Sequence, residues 1–267
     1  MGILALDIDG TLTGDDHALS LVRRNELEWL HAKGWNIIFI TGRPFSWAAR
    51  TLSVLPFPYG FAVQNGALLL QMPERKVLYK RYLDHKALKR ALAIRRDCAV
   101  YGGYEEGETC YYCPADWTSF QRDYAECRAH LLREEWRPLR TWEELPLIQF
   151  PSLKYFAIQE ESDRLAALLE REGFHAPPIR DPFETSRRVL QVTDPCVTKG
   201  QALHDYKHIL GEQLTVAAGD DWNDLSMLEA CDHPFVVDTA PDNLKKLFTV
   251  VLPQKALLKT IGKTIIL

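Results

Sequence analysis

ILALDIDGTLTGDD, residues 3–16, is the stretch on which the fold turns. Its apolar run 3–6 ends in Asp7 and Asp9, one residue apart, followed by Gly10 and Thr11. Side chains alternate faces along a strand, so Asp7 and Asp9 lean the same way while Ile8 leans back. Like charges held that close share either a proton or a cation. A solvated turn is the ordinary use of Asp and Gly, but Asp7 sits inside the apolar run rather than beyond it.

The same format recurs along the chain. NIIFITGR (36–43) and GFAVQNG (60–66) are apolar runs ending at Thr41-Gly42 and Asn65-Gly66. Ser20 is placed to cap a helix carrying Leu21, Leu27 and Leu30 that stops near Gly34. Lys199-Gly200 opens another helix over 201–210. LTVAAGDDWND (214–224), PFVVD (234–238) and TVVL (249–252) read as further strands. Apolar strands alternating with helices predict a Rossmann-like α/β core, a parallel sheet covered by helices on both faces.

Between 82 and 188 the regularity breaks. This stretch reads as a helix (85–94), the segment YGGYEEGETCYYC, a helix near 121–135, the strand LKYFAIQ (153–159), a helix over 162–172 and the Pro-rich APPIRDP. About 105 residues are too many for a structureless loop. The expected organisation is a core in two pieces, 1–81 and 189–267, with an α+β cap inserted at 82–188.

Composition narrows the function. With 267 residues, 46% hydrophobic and 25% charged, the chain has enough apolar material for a sizeable core. A net charge of −4 gives no electrostatic reason to bind nucleic acid or an anionic membrane. The insert, with 16 Lys or Arg against 19 Asp or Glu, is no basic platform either. No apolar run approaches the roughly 20 residues of a membrane span. Asp7 comes too early for a secretory signal, and MGILAL lacks the Ser or Thr of a myristoylation site, so a cytoplasmic location is expected. Of the six cysteines, Cys110 and Cys113 have the spacing of a zinc knuckle, but no second close pair accompanies them. Reduced, mostly buried thiols are expected instead.

Four strand tips carry polar groups: Asp7 and Asp9; Thr41 and Gly42; Asn65 and Gly66; and Asp220, Asp221, Asn223 and Asp224. Ligands of open α/β sheets bind at the carboxyl ends of the strands, so these distant segments should converge there. Oxygen donors alone suit a hard cation such as Mg²⁺. A lysine near a helix N-terminus, as Lys199 is, needs an anion to receive it. Carboxylates, a hydroxyl, a lysine and strand-end amides describe a phosphoryl-transfer site.

DIDGTLT (7–13), TGR (41–43), KG (199–200) and GDDWND (219–224), in this order, resemble the haloacid dehalogenase superfamily. More narrowly, they resemble its Cof-like and sucrose-phosphate-phosphatase-like members, with a large α/β cap after the third strand and a QNGA element (64–67) just before it. The resemblance covers both ends of the core, about 60% of the chain. It implies a Mg²⁺-dependent phosphatase acting on a small phosphorylated metabolite, a sugar phosphate first. Asp7 would be the nucleophile that forms an aspartyl-phosphate. Asp9 would be the acid and then the base, its pKa raised by the Asp7 charge, and would offer its backbone carbonyl to the metal. Thr41, Gly42, Lys199 and Asn223 would form the phosphate-binding set around the phosphoryl oxygens. Asp220 would join Asp7 and Asp9 at the metal. Asn223, Asp221 and Asp224 would stand behind them, with Asn223 and Asp224 orienting a metal-bound water or Lys199. Either Asp221 or Asp224 would be the second acidic contact of the last motif. HPFVVDTAPDN (233–243) departs from the GVAMGNA-like stretch usual there.

Each feature also has a plainer reading. Thr41 would then turn its hydroxyl to backbone, Asp224 would cap a helix, and Arg187 and Arg188 would be solvated rather than reach a substrate anion. Tyr101, Tyr104, Tyr111, Tyr112 and Trp117 would pack the cap core rather than stack on a sugar or base. A phosphomutase with the same machinery and a non-catalytic phospho-ligand-binding module are the alternative functions. Oligomeric state is not legible.

Overall fold

A computed structural model describes residues 2–14, 16–181, 184, 186–211 and 213–266. The first part of the chain forms β1 (Gly2–Leu6), α1 (Leu21–Ala32), β2 (Asn36–Ile40), α2 (Phe45–Leu52), β3 (Tyr59–Val63), β4 (Leu68–Met72) and β5 (Lys76–Lys80). The middle part forms β6 (Leu83–Asp84), α3 (His85–Ile94), β7 (Ala99–Tyr101), β8 (Cys110–Tyr112), α4 (Ser119–Leu132) and β9 (Trp136–Pro138). It continues with β10 (Gln149–Phe150), β11 (Ser152–Ile158), α5 (Gln159–Arg171), β12 (Pro178–Arg180) and β13 (Arg187–Val192). Then come α6 (Lys199–Leu210), β14 (Leu214–Gly219), α7 (Leu225–Ala230), β15 (His233–Val237), α8 (Asp242–Lys245), β16 (Val251–Leu252) and α9 (Leu257–Ile266).

Two compact units result: Met1–Arg43, Trp47–Lys80 and Thr198–Leu267 form one, and Pro44–Ser46 with Arg81–Val197 the other. The second unit runs past residue 188 because β13 pairs with β11 over its whole length, from Arg187 opposite Ile158 to Val192 opposite Leu153.

The first unit is built on an eight-stranded sheet in the order β16-β15-β14-β1-β2-β3-β4-β5. Six strands are parallel, and β1 lies between β14 and β2, with Leu4 facing Val216 and Ile37. All five residues of β1 are buried, as a central strand covered on both faces requires. Strand order reverses on either side of β1, and in open α/β sheets the ligand crevice lies outside the strand ends at such a reversal. The parallel core carries an antiparallel edge, formed by β4 and β5. Gln64, Asn65 and Gly66 take φ of 52°, 57° and 100°, and these left-handed residues fold β4 straight back onto β3 instead of launching a crossover helix.

Local caps follow the sequence. Ser20 accepts the Arg23 amide at 3.3 Å and Thr198 the Gln201 amide at 3.0 Å. In α1, Leu27 and Leu30 are buried, while Leu21 is 69% exposed and takes no part in the core.

The second unit holds a six-stranded sheet, β12-β13-β11-β7-β8-β9, beside the β6–β10 ribbon. Alternation divides its residues between two faces. Val100, Tyr111, Leu153 and Tyr155 pack with α3 and α5, while Tyr101, Phe156 and Val189 pack with Trp117 and with Ala125 of α4. Tyr101, Tyr111 and Trp117 are therefore core residues of this unit, with Tyr112 packed beside Trp117 and Tyr104 half-buried. Arg187 lies over the Phe120 ring at 3.9 Å, and Arg188 donates to the Arg187 carbonyl at 2.8 Å. Cys98, Cys110 and Cys113 are buried free thiols, Cys231 is half-buried, and Cys127 and Cys196 are exposed. No described helix is long and apolar enough to cross a membrane.

Candidate active site

Every sequence-predicted site residue belongs to the first unit, and most come from the carboxyl ends of its central strands. Asp7 follows β1 and is held in line by its backbone N–H, which donates to the Ala218 carbonyl of β14 at 3.0 Å. Asp220 follows β14, Thr41 follows β2, and Lys199 lies in the first turn of α6. Lys199 Nζ donates to Asp7 Oδ1 at 2.5 Å and to Asp224 Oδ1 at 2.6 Å, with all three side chains buried. The anion required at this helix start is thus supplied by residues 192 and 25 positions away.

Asp7, Asp220 and Asp224 each bring a carboxylate oxygen within 4.8 Å of the other two. Among the described residues, no other His, Cys, Asp or Glu trio is so gathered. Three carboxylates against one ammonium leave this pocket short of positive charge. Its donors are oxygens, the chemistry of a hard divalent cation. Burial pushes Asp7 up to about 7, against the pull of Lys199 and with the push of Asp224 and Asp9. Burial disfavours the Lys199 cation, but Asp224 and Asp7 outweigh it and hold the amine firmly protonated.

Asp224 also organises the last motif. Its Oδ2 accepts the Asp220 amide at 2.8 Å and the Asp221 amide at 2.9 Å. Asp221 turns away to cap the short turn Trp222–Asp224, accepting the Trp222 amide at 2.9 Å. The second acid beside Asp7 and Asp220 is therefore Asp224. Asn223 donates to Asn65 Oδ1 at 3.0 Å, and of the two groups expected to orient a metal-bound water or Lys199 it is Asp224 that meets the lysine. Thr41 is buried, and its hydroxyl accepts the Arg43 amide at 3.1 Å, which leaves the hydroxyl hydrogen to donate.

Asp9 has a different neighbourhood. Arg43 grips its carboxylate with Nε on Oδ2 at 2.6 Å and Nη2 on Oδ1, and His17 Nδ1 lies 3.0 Å from Oδ1. Arg43 in turn donates to Thr51 at 2.6 Å and sits 4.1 Å from the Trp47 ring centre. Burial favours the neutral acid, but the hydrogen bonds from Arg43 and His17 prevail and carry Asp9 down to about 2. The expectation that the Asp7 charge raises Asp9 is overturned, because a bidentate guanidinium outweighs one neighbouring carboxylate.

The sequence alone assigns no role to Arg43, His17, Thr51 or Thr11. The TGR motif pointed to Arg43, the residue after the strand-tip pair. Nothing marked His17, which reaches Asp9 because Gly10 (φ 74°) turns the chain back. Thr11 donates to Asp220 Oδ1 at 3.1 Å, linking the first and last acidic motifs.

A doubly covered α/β sheet with acids and a lysine gathered at its switch point defines an α/β protein whose ligand site lies at the strand ends. More closely, residues 4–263 match the family of haloacid dehalogenase-like hydrolases, and the chain belongs to that family. The HMP-PP phosphatase of Yersinia pestis is 26% identical over 91% of this chain and 86% of its own. A haloacid dehalogenase-like hydrolase from B. subtilis shares the fold at TM-score 0.78 and 21% identity, over 97% of this chain and 99% of its own. A subclass IIB sugar phosphatase of the superfamily superposes at TM-score 0.77 and 21% identity over 100% of both chains.

Proposed function

We propose that this hydrolase is a Mg²⁺-dependent phosphatase of small phosphomonoesters, a sugar phosphate first, working through an aspartyl-phosphate on Asp7. The observation that carries the reading is the Lys199 ammonium bridging Asp7 and Asp224 beside Asp220, an anion-rich pocket with one fixed cation. The relatives support it: one is named a phosphatase, and the subclass IIB neighbour a sugar phosphatase.

Asp7, Asp220 and the Asp9 backbone carbonyl would hold the metal, with Asp224 behind them. Bound there, Mg²⁺ would offset developing charge and align the phosphoryl oxygens. An Asp7 carboxylate oxygen attacks phosphorus as the P–O bond to the alcohol breaks, and Asp9, having taken up a solvent proton once the bound phosphate dianion raises its pKa, gives that proton to the departing oxygen. Water then attacks phosphorus, its proton goes to Asp9, and the bond from Asp7 to phosphorus breaks to release phosphate. Thr41, the Gly42 amide and Lys199 hold the phosphoryl oxygens, while Asn223 and Asp224 keep the last motif in place. At rest Asp9 is a carboxylate, the state the second half-reaction needs. A phosphate dianion beside it raises its pKa, the direction the first half-reaction needs. The second unit would act as the substrate-selecting cap.

The test is a Mg²⁺-containing screen of phosphorylated metabolites, read as free phosphate. Release that requires Mg²⁺ and vanishes in Asp7→Asn is the expected result. An isomer formed without free phosphate would make the protein a mutase, and ligand binding without turnover a binding module.

A further inference from the structure

The turn that follows Asp7 is held from two sides. Within the turn, the Leu12 and Thr13 amides and the Thr13 hydroxyl all donate to the Ile8 carbonyl, at 2.9, 3.0 and 3.1 Å. On one side, Thr11 ties the turn to Asp220. On the other, the Gln254 side-chain amide donates to the Gly10 carbonyl at 2.8 Å and to the Thr13 carbonyl at 2.9 Å, and Thr239 adds a longer bond to Gly10 at 3.3 Å. Gln254 is itself fixed. Its amide donates to Asp238 Oδ1 at 3.0 Å, and its carbonyl accepts Arg23 Nη2 from α1. Both hydrogens of one side-chain amide are thus spent on two carbonyls of a single turn, from a residue more than 240 positions away.

We infer that Gln254 is a positioning residue for the metal site, pinning the Asp9–Gly10–Thr11 turn so that the Asp9 carbonyl and the Thr11-anchored Asp220 carboxylate keep their spacing. It touches no reacting group. Without it, the Gly10 and Thr13 carbonyls turn to water and the turn loses its outer anchor, while the bonds to Ile8 keep it folded. Groups that orient metal ligands typically change metal affinity by about 10–100-fold when removed. The inference rests on the Mg²⁺ reading above.

The test titrates MgCl₂ alone into the substrate-free protein, followed by calorimetry and by the Mg²⁺-dependent rise in melting temperature. Gln254→Ala and the near-isosteric Gln254→Met are compared with Gln71→Ala. Gln71 likewise donates two bonds to backbone carbonyls, those of Tyr59 and Met72, but away from the acidic cluster. Both Gln254 variants are expected to bind Mg²⁺ about tenfold more weakly, with metal-free melting lowered no more than in Gln71→Ala. Mg²⁺ affinity within twofold of wild type would overturn the inference, as would a loss matched by Gln71→Ala. Wild-type protein that binds no Mg²⁺ would overturn the metal reading, and this inference with it.

Discussion

Arg43 and Asp9 form a two-pronged pair, with the guanidinium Nε on one carboxylate oxygen at 2.6 Å and Nη2 on the other. Arg43 is almost wholly buried, whereas the Asp9 side chain is one-third exposed. Asp9 is thereby stored as a carboxylate within reach of solvent, its orientation set by a residue that has no freedom of its own.

Arg43→Met should therefore change protonation as well as stability. With the guanidinium gone, only His17 is left to oppose burial and Asp9 moves up from about 2. Because water activation needs the carboxylate, the acid limb of kcat should shift to higher pH. Losing hydrogen bonds to a charged group should cost about 1.5–3 kcal/mol. A pH–rate profile on p-nitrophenyl phosphate, with urea melts, checks both, and an unmoved acid limb would remove Arg43 from the chemistry.

Lys199→Met leaves Asp7 and Asp224 buried together without their shared cation. Breaking one partner out of a buried ion pair costs about 3–5 kcal/mol, and loss of a phosphoryl-oxygen donor about 10²–10³ in kcat. The variant should melt well below wild type in EDTA and recover more of that loss with Mg²⁺ than wild type gains. Equal urea midpoints in EDTA would contradict the pairing.

Asp7 makes metal-free stability depend on pH with a definite sign. Its carboxyl is raised from 3.8 to about 7 on folding, so between those values the folded protein holds a proton the unfolded chain has released. Stability from this group is full below about 4, falls as pH rises to about 7, and is flat beyond. Mg²⁺ competes with that proton, so its stabilising effect should grow across the same window. Melts with EDTA and with Mg²⁺ over this range, repeated on Asp7→Asn, isolate the term. A slope that survives the substitution would assign it elsewhere.

Much of this was legible because it is local. The strand-tip acids, the Ser20 cap and the helix over 85–94 follow from periodicity and caps that act within a few residues. Three classes of feature were not. The antiparallel return of β4 depends on left-handed φ at Gln64 and Asn65, which a QNGA string does not announce. TVVL shrinks to the two-residue edge strand Val251–Leu252 because pairing, not propensity, sets strand length. The state of Asp9 hangs on Arg43 and His17, and only the folded chain reveals which of several charges comes nearest.

Gly10→Ala probes the same loop from its inner side. Gly10 has φ 74°, and a Cβ there would lie 2.2 Å from Asp220 Oδ2 and 2.6 Å from its Cγ. A left-handed alanine costs about 1–2 kcal/mol by itself, but the larger effect should fall on Asp220, which must leave both the cluster and its bond to Thr11. Mg²⁺ affinity and kcat/KM should each drop by about 10²-fold, while the melting temperature falls only by the few degrees that the backbone cost implies. Gly14→Ala is the control, since its added Cβ meets no atom within 4 Å. If both substitutions lower melting alike and neither moves Mg²⁺ affinity, Asp220 does not hold the ion. The clash is with a proposed ligand rather than with the core, so the loss must appear in binding.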